Sequence, residues 1–187
     1  LYYNGQPGAT AESIEVLEKA LSINPNLNDA ANWLALAYWG TNRAADAEAV
    51  LESITARDPL YRPALGNWIF HLGTTGRTEQ GREHIDSVEP FLGDEAQILQ
   101  GRAWLDYFEG KLAAGLKRSE LGLEKQPTDR VLKMSANEGN LRTHQYDRVF
   151  EDNYTGYYMT ALLELGRNEE AGMIARQRGA NGEPGLL

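Results

Sequence analysis

The stretch NRAADAEAVLESITARDP, Asn42 to Pro59, decides the fold. It opens on a turn-forming residue, places Ala47, Leu51 and Ile54 at helical spacing, and closes on proline. Spacings of three and four residues put those apolar side chains on one stripe of a helix. Asparagine tolerates the left-handed backbone that ends a helix, and proline cannot continue the one it follows. The stretch reads as turn, helix and stop.

Each position recurs along the chain. Pro25, Pro59 and Pro127 stand 34 and then twice 34 residues apart, and Gly93 takes the place of the missing proline. Gly8, Asn42, Gly76 and Gly110 are each 34 residues from the next. In the same phase lie three further sets: Ser13, Ala47, Gly81, Gly115; then Leu17, Leu51, Ile85, Ser119; then Ala20, Ile54, Val88, Gly122. The small residues let a neighbouring helix approach closely. Ahead of each turn runs another helix, with Leu34, Ala35 and Tyr38 in one unit and Trp68, Ile69 and Leu72 in the next. The third unit places Arg102, Ala103 and Asp106 there, a weaker match. A fixed period of this length marks a repeat architecture. Each unit is two antiparallel helices joined by a short turn.

The segments WLALAY (33–38), ADAEAVLESITARDP (45–59) and EKALSINP (18–25), with the helix pair and the period, resemble tetratricopeptide repeats. Leu34, Ala35, Tyr38, Ala47 and Pro59 match that family's pattern in one unit, and Ala20 with Pro25 match it in the half-unit before. The family's early tryptophan is missing; Ala31 stands there, with Trp33 close by. The resemblance implies an all-α fold, a right-handed α-solenoid of antiparallel helix pairs. One helical repeat domain is expected over residues 1–178. It comprises a half repeat (9–27), repeats at 28–61, 62–95 and 96–129, an irregular segment (130–153) and a final helix pair (154–178). GANGEPGLL (179–187) has the composition of a flexible tail.

Beyond Pro127 the phase is expected to fail. Residues 130–142 read as a first helix, and QYDRVF (145–150) as the start of a partner that is cut short. GRNEEAGMIARQR (166–178) again reads as turn and second helix, so about 12 residues of one repeat are missing. Either a shortened helix lies here or residues 147–165 run on as one longer helix.

Little chemistry is written in the chain. It has no cysteine, which excludes thiol catalysis and cysteine-ligated zinc. His71, His84 and His144 lack metal-ligand spacing, and no phosphate loop or nucleophile elbow occurs. NPNLND (24–29) lacks the spacing of a calcium loop and reads as helix end and turn, with Asn28 or Asp29 as N-cap. His144, Tyr146, Asp147 and Arg148 form one dense polar cluster, best read as a solvated turn. The reading is therefore not an enzyme, with no catalytic residue, cofactor or metal. Net charge is −9, with 14 acidic and 6 basic residues in 1–95 against 13 and 12 in 96–187. That balance argues against nucleic acid, whose partners carry basic patches. No run approaches the roughly 20 apolar residues of a membrane span, so no membrane insertion is expected. No leader precedes Leu1, and a start at leucine reads as a piece of a longer or processed chain whose compartment, cytoplasmic or periplasmic, stays open.

The resemblance implies that first helices line a concave groove. Their outward positions are Asn32, Leu36 and Trp39, then Asn67 and Phe70, then Gln100, Trp104 and Tyr107. Asparagine and glutamine can bond a peptide backbone through donor and acceptor alike, and aromatic residues anchor interfaces. Trp33 and Trp68 read as core. Relatives that grip a C-terminal carboxylate use lysine and arginine beside asparagine; Arg102 is the only candidate cation here. Arg43, Arg77 and Lys111, one position after the turn residue, read as solvated or as offsetting negative helix ends. The function expected is a protein- or peptide-binding scaffold. Two alternatives are a sensory or regulatory region of a larger bacterial signalling or transcriptional regulator, and a homo-oligomer formed through the exposed face of the leading half repeat.

Overall fold

In the computed structural model, residues 7–92, 95–149 and 157–180 are described. Among them all regular structure is helical. The chain divides into two compact units, Leu1–His71 and Leu72–Leu187.

The first unit holds α1 (Pro7–Ile23), α2 (Asn28–Gly40), α3 (Ala44–Arg57) and most of α4 (Arg62–Thr74). Helix α2 packs on both α1 and α3. Leu34, Ala35 and Tyr38 of α2 and Ala47, Leu51 and Ile54 of α3 are buried, as their spacing predicts. Gly8 is a departure: it lies in the first turn of α1, not in a turn between helices. Leu27 caps α2 without a side-chain bond. Asn28 is instead the first helical residue, tying Asp58 through Nδ2 (3.0 Å) and accepting from Arg57 (2.6 Å). Asp29 accepts from the Tyr61 hydroxyl. Both side chains are drawn away from capping by the loop after α3.

The second unit holds α5 (Thr78–Leu92), α6 (Glu95–Phe108), α7 (Leu112–Lys125), α8 (Arg130–Arg142), a 3-10 turn at Tyr146–Arg148, α9 (Tyr157–Glu164) and α10 (Asn168–Ala180). Its core gathers Ala103 and Tyr107 of α6, Leu116 of α7 and Ala136 of α8. The close approach rests on missing side chains. A Cβ on Gly115 would lie 2.8 Å from the Ala103 carbonyl oxygen. One on Gly139 would lie 2.4 Å from the Tyr107 hydroxyl.

The weaker match at Asp106 has a physical answer. This buried carboxylate takes Arg82 from α5 (2.8 Å) and Arg118 from α7 (2.6 Å). Arg82 also bonds Glu109, which pairs with Lys111 (2.9 and 2.6 Å). Leu72 fills the same repeat position with apolar contact and Tyr38 with a buried ring whose hydroxyl donates to Glu18 at 2.7 Å; here paired charges fill it.

Two turn designs repeat. After each first helix one residue takes positive φ: Asn42 (60°), Gly76 (76°), Gly110 (75°), His144 (59°) and Gly166 (73°). The next N–H then closes on a carbonyl five residues back, with Arg43 on Tyr38, Arg77 on Leu72, Lys111 on Asp106, Gln145 on Asn140 and Arg167 on Leu162, all at 2.8 Å. This is the six-to-one closure of a helix C-terminus. Pro25, Pro59 and Pro127 share the second design. Each follows the first residue of a turn closed by a bond to that residue's carbonyl, from Leu27 (3.3 Å), Tyr61 (3.2 Å) and Asp129 (3.0 Å). Proline's fixed φ suits that place. Gly93 lies outside the described residues.

The phase therefore holds further than the sequence reading allows. His144 stands 34 residues after Gly110 and occupies the same left-handed position. The break follows His144, not Pro127. A single long helix over 147–165 is excluded, since the 3-10 turn passes into extended backbone at Val149 (φ −73°, ψ 121°). The tail from 181 onward, like 1–6 and 150–156, lies outside the described residues.

Candidate functional site

In the first unit, α2 and α4 meet through a pair of amides. Asn67 Nδ2 donates to Asn32 Oδ1 at 2.8 Å. Asn32, expected to face outward, is buried at 6% exposure, and Asn67 is half-buried. Beside it Trp39 of α2 stacks on His71 of α4, with centroids 5.7 Å apart and planes 15° from parallel. Trp39 also meets Phe70 edge-on at 6.2 Å. His71 stacks on Trp68 from its other neighbour and bonds Glu48 of α3 at 3.0 Å. Phe70 is 37% exposed and Leu36 half-buried.

Trp33 corrects the core reading given to it: it is 46% exposed, whereas Trp68 is buried as expected. The sequence holds a signal for this. Asp29, Trp33, Leu36 and Gly40, at spacings of four, three and four, form the stripe of α2 that faces neither α1 nor α3. His71 and Glu48 were not among the expected site residues either. Nothing local in the sequence brings Glu48 against His71; only the packing of α3 on α4 does.

The second unit treats its three candidates differently. Gln100 and Tyr107 were expected to face outward, and both are buried, at 5% and 3% exposure. Tyr107 is turned inward because Gly115 and Gly139 leave room for its ring. Its hydroxyl donates to the Ser135 carbonyl at 3.0 Å, with Ser119 Oγ at 3.5 Å. Burial pushes its phenol above the ordinary range. Trp104 is partly buried against the same core. Arg102, the one candidate cation, is held by Asp86 (2.7 Å) and Glu89 (2.8 Å). Arg43 lies over the Tyr38 ring at 4.1 Å and bonds Asp46 at 2.6 Å; Lys111 bonds Glu109.

The polar cluster after α8 is a closed turn. His144 Nδ1 and the Tyr146 hydroxyl are 2.6 Å apart, and Arg148 binds Gln145 (2.7 Å) and Glu120. Burial lowers the pKa of His84, and its Nε2 has no partner among the described residues. Among the described residues no group of three or more His, Asp or Glu side chains could hold a metal ion, and no helix is long and apolar enough to cross a membrane.

Helices joined through left-handed residues, with proline turns recurring in the same phase at Pro25, Pro59 and Pro127, define a helical repeat protein. Within this class, residues 6–66 match the family model of a tetratricopeptide repeat. The fold extends past that match. A tetratricopeptide repeat protein of Parabacteroides merdae superposes with a TM-score of 0.70 over 92% of this chain and 72% of its own, at 14% identity. No curated protein matches the sequence.

Proposed function

We propose that the chain is a non-catalytic scaffold that holds an extended segment of a partner protein on the face shared by α2 and α4. Tetratricopeptide repeats in general mediate protein–protein interaction. The observation that carries the finer reading is the Asn32–Asn67 pair with large apolar side chains exposed around it. The bond between the two amides uses one acceptor and one donor. The Oδ1 of Asn67 and the Nδ2 of Asn32 engage no other described residue, leaving one acceptor and one donor for a peptide group. Phe70, Trp33 and Leu36 supply the contact area that aromatic and aliphatic anchors give an interface.

The test compares retention of cellular proteins on the immobilised full chain with that on Asn67→Ala/Phe70→Ala. Helix content and melting temperature of the variant are checked first. A specific partner whose retention falls at least about tenfold supports the reading, a loss of the size expected when anchor residues are truncated. Equal retention on both proteins moves the site elsewhere.

A further inference from the structure

Behind the α2–α4 face, one contact between helices is polar where the array elsewhere makes it apolar. Glu48 of α3 and His71 of α4 bond at 3.0 Å. The same phase holds Ile14 and Ala37 one repeat earlier, and Leu116 and Gly139 two repeats later. All four of those residues are buried. Leu116 and Gly139 pack without a polar bond: a Cβ on Gly139 would lie 3.1 Å from Leu116 Cδ1. Arg82, which follows Glu48 in phase, turns to Asp106 at 2.8 Å. The repeat can therefore close this position with apolar side chains alone, and a well-packed apolar pair is often as stable as a buried polar one or more so. A bond kept where the fold does not need it contributes direction.

That direction belongs to a ring. An imidazole donates in its own plane, so the Nε2–H bond to the Glu48 carboxylate fixes the plane of His71. His71 is 2% exposed, so little water can stand in for that carboxylate. Trp39 and Trp68 both lie nearly parallel to the imidazole, at 15° and 12°, with centroids 5.7 and 5.8 Å away. Trp68 is buried, whereas Trp39 is half-buried and meets the exposed Phe70 edge-on. Offset-stacked and edge-to-face ring contacts prefer particular orientations. The order set at Glu48 passes to His71, then to Trp39, and out to Phe70. We propose that Glu48, which stands on α3 outside the face, is a positioning residue for partner docking: it holds His71, and His71 holds Trp39 at the angle a partner meets. This rests on the α2–α4 face being the docking site and adds what sets its shape.

The full chain carrying 5-fluorotryptophan is followed by fluorine-19 NMR, its four tryptophans assigned by single replacement with phenylalanine. Two substitutions of similar size separate the bond from the packing. Glu48→Gln keeps a carbonyl acceptor, and Glu48→Met offers only a weak thioether. The Glu48 side chain is 33% exposed, and helix content and melting temperature of both variants are checked first. In Glu48→Met the Trp39 resonance should shift or broaden while that of Trp104, in the second compact unit, stays in place. Glu48→Gln should keep the native spectrum. The partner retained by the native chain should be held at least about threefold less well by Glu48→Met, a coupling within the range for one hydrogen-bonded network. Glu48→Gln should hold it as the native chain does. A Trp39 resonance unmoved in Glu48→Met overturns the proposal, as does a moved resonance with unchanged retention, or Glu48→Gln behaving like Glu48→Met. A native chain that retains nothing specific overturns the docking face and this proposal with it. The fluorine spectra tell that failure apart, because they read the link from Glu48 to Trp39 without any partner.

Discussion

Single residues carry the phase of this chain, and their side chains say little about it. His144 occupies the left-handed position that Gly76 and Gly110 hold in the units before. An L-residue with a Cβ is held there at a cost of about 1–2 kcal/mol, which is why a glycine search loses the beat at this point. His144→Gly should raise the urea midpoint by the equivalent of about 1 kcal/mol, less what the contact with Tyr146 contributes. His144→Val should lower it. A fall in the glycine variant would mean that the Tyr146 contact outweighs the backbone. Gly115 makes the opposite case. It is helical and buried, so alanine would gain up to about 1 kcal/mol in propensity. The added Cβ, however, would sit 2.8 Å from a backbone oxygen that cannot swing aside. Overpacking of this kind costs about 1–3 kcal/mol, so Gly115→Ala should be net destabilising by chemical denaturation; an unchanged or raised midpoint would contradict the close approach of α6 and α7.

At the scale of elements, what was legible followed from local sequence and what was missed depended on distant partners. The Pro25, Pro59 and Pro127 turns and the stripes of α2 and α3 need only their own residues to be read. Tyr107 could not be oriented that way, because its inward position depends on Gly139, a helix pair away. Trp33, read as core, is exposed, although its own helix carried the correct stripe. Asp106 is the third kind: a break in the apolar pattern that only Arg82 of α5 and Arg118 of α7 explain. That network makes the α5–α6–α7 packing sensitive to acid. Hydrogen bonds from Arg82 and then Lys111 hold Glu109 at about 2, from an ordinary value of 4.5. A carboxylate depressed on folding stabilises above its unfolded pKa and loses that contribution as pH falls toward the folded one. The urea midpoint should therefore decline between about pH 4.5 and 2 more steeply in the native chain than in Glu109→Gln. His84 acts earlier with the same sign. Burial lowers its pKa, so its protonation opposes folding once the pH drops below the unfolded value near 6.5. His84→Leu should flatten the decline that begins there, and parallel curves would remove His84 from the account.

Over the molecule, the regular units and the last helix pair differ in what they bury. In α6, α7 and α8 the repeat positions close over Ala103, Tyr107, Leu116 and Ala136, with Ser119, Ser135 and Asn137 satisfied or enclosed among them. Among the described side chains, α9 buries Ala161 and Leu162 and exposes Leu163, the turn after it exposes Leu165, and α10 buries Ala171 and exposes Met173. Repeat proteins draw stability from each unit and its immediate neighbours and not from one central core. A unit with little buried area then opens without the rest, at a free energy below that of global unfolding. Native-state hydrogen exchange should find the amides of α9 and α10 exchanging at least about tenfold faster than those of α6 to α8, a difference of about 1.4 kcal/mol or more. Equal protection across α6 to α10 would show one cooperative unit in place of the graded array.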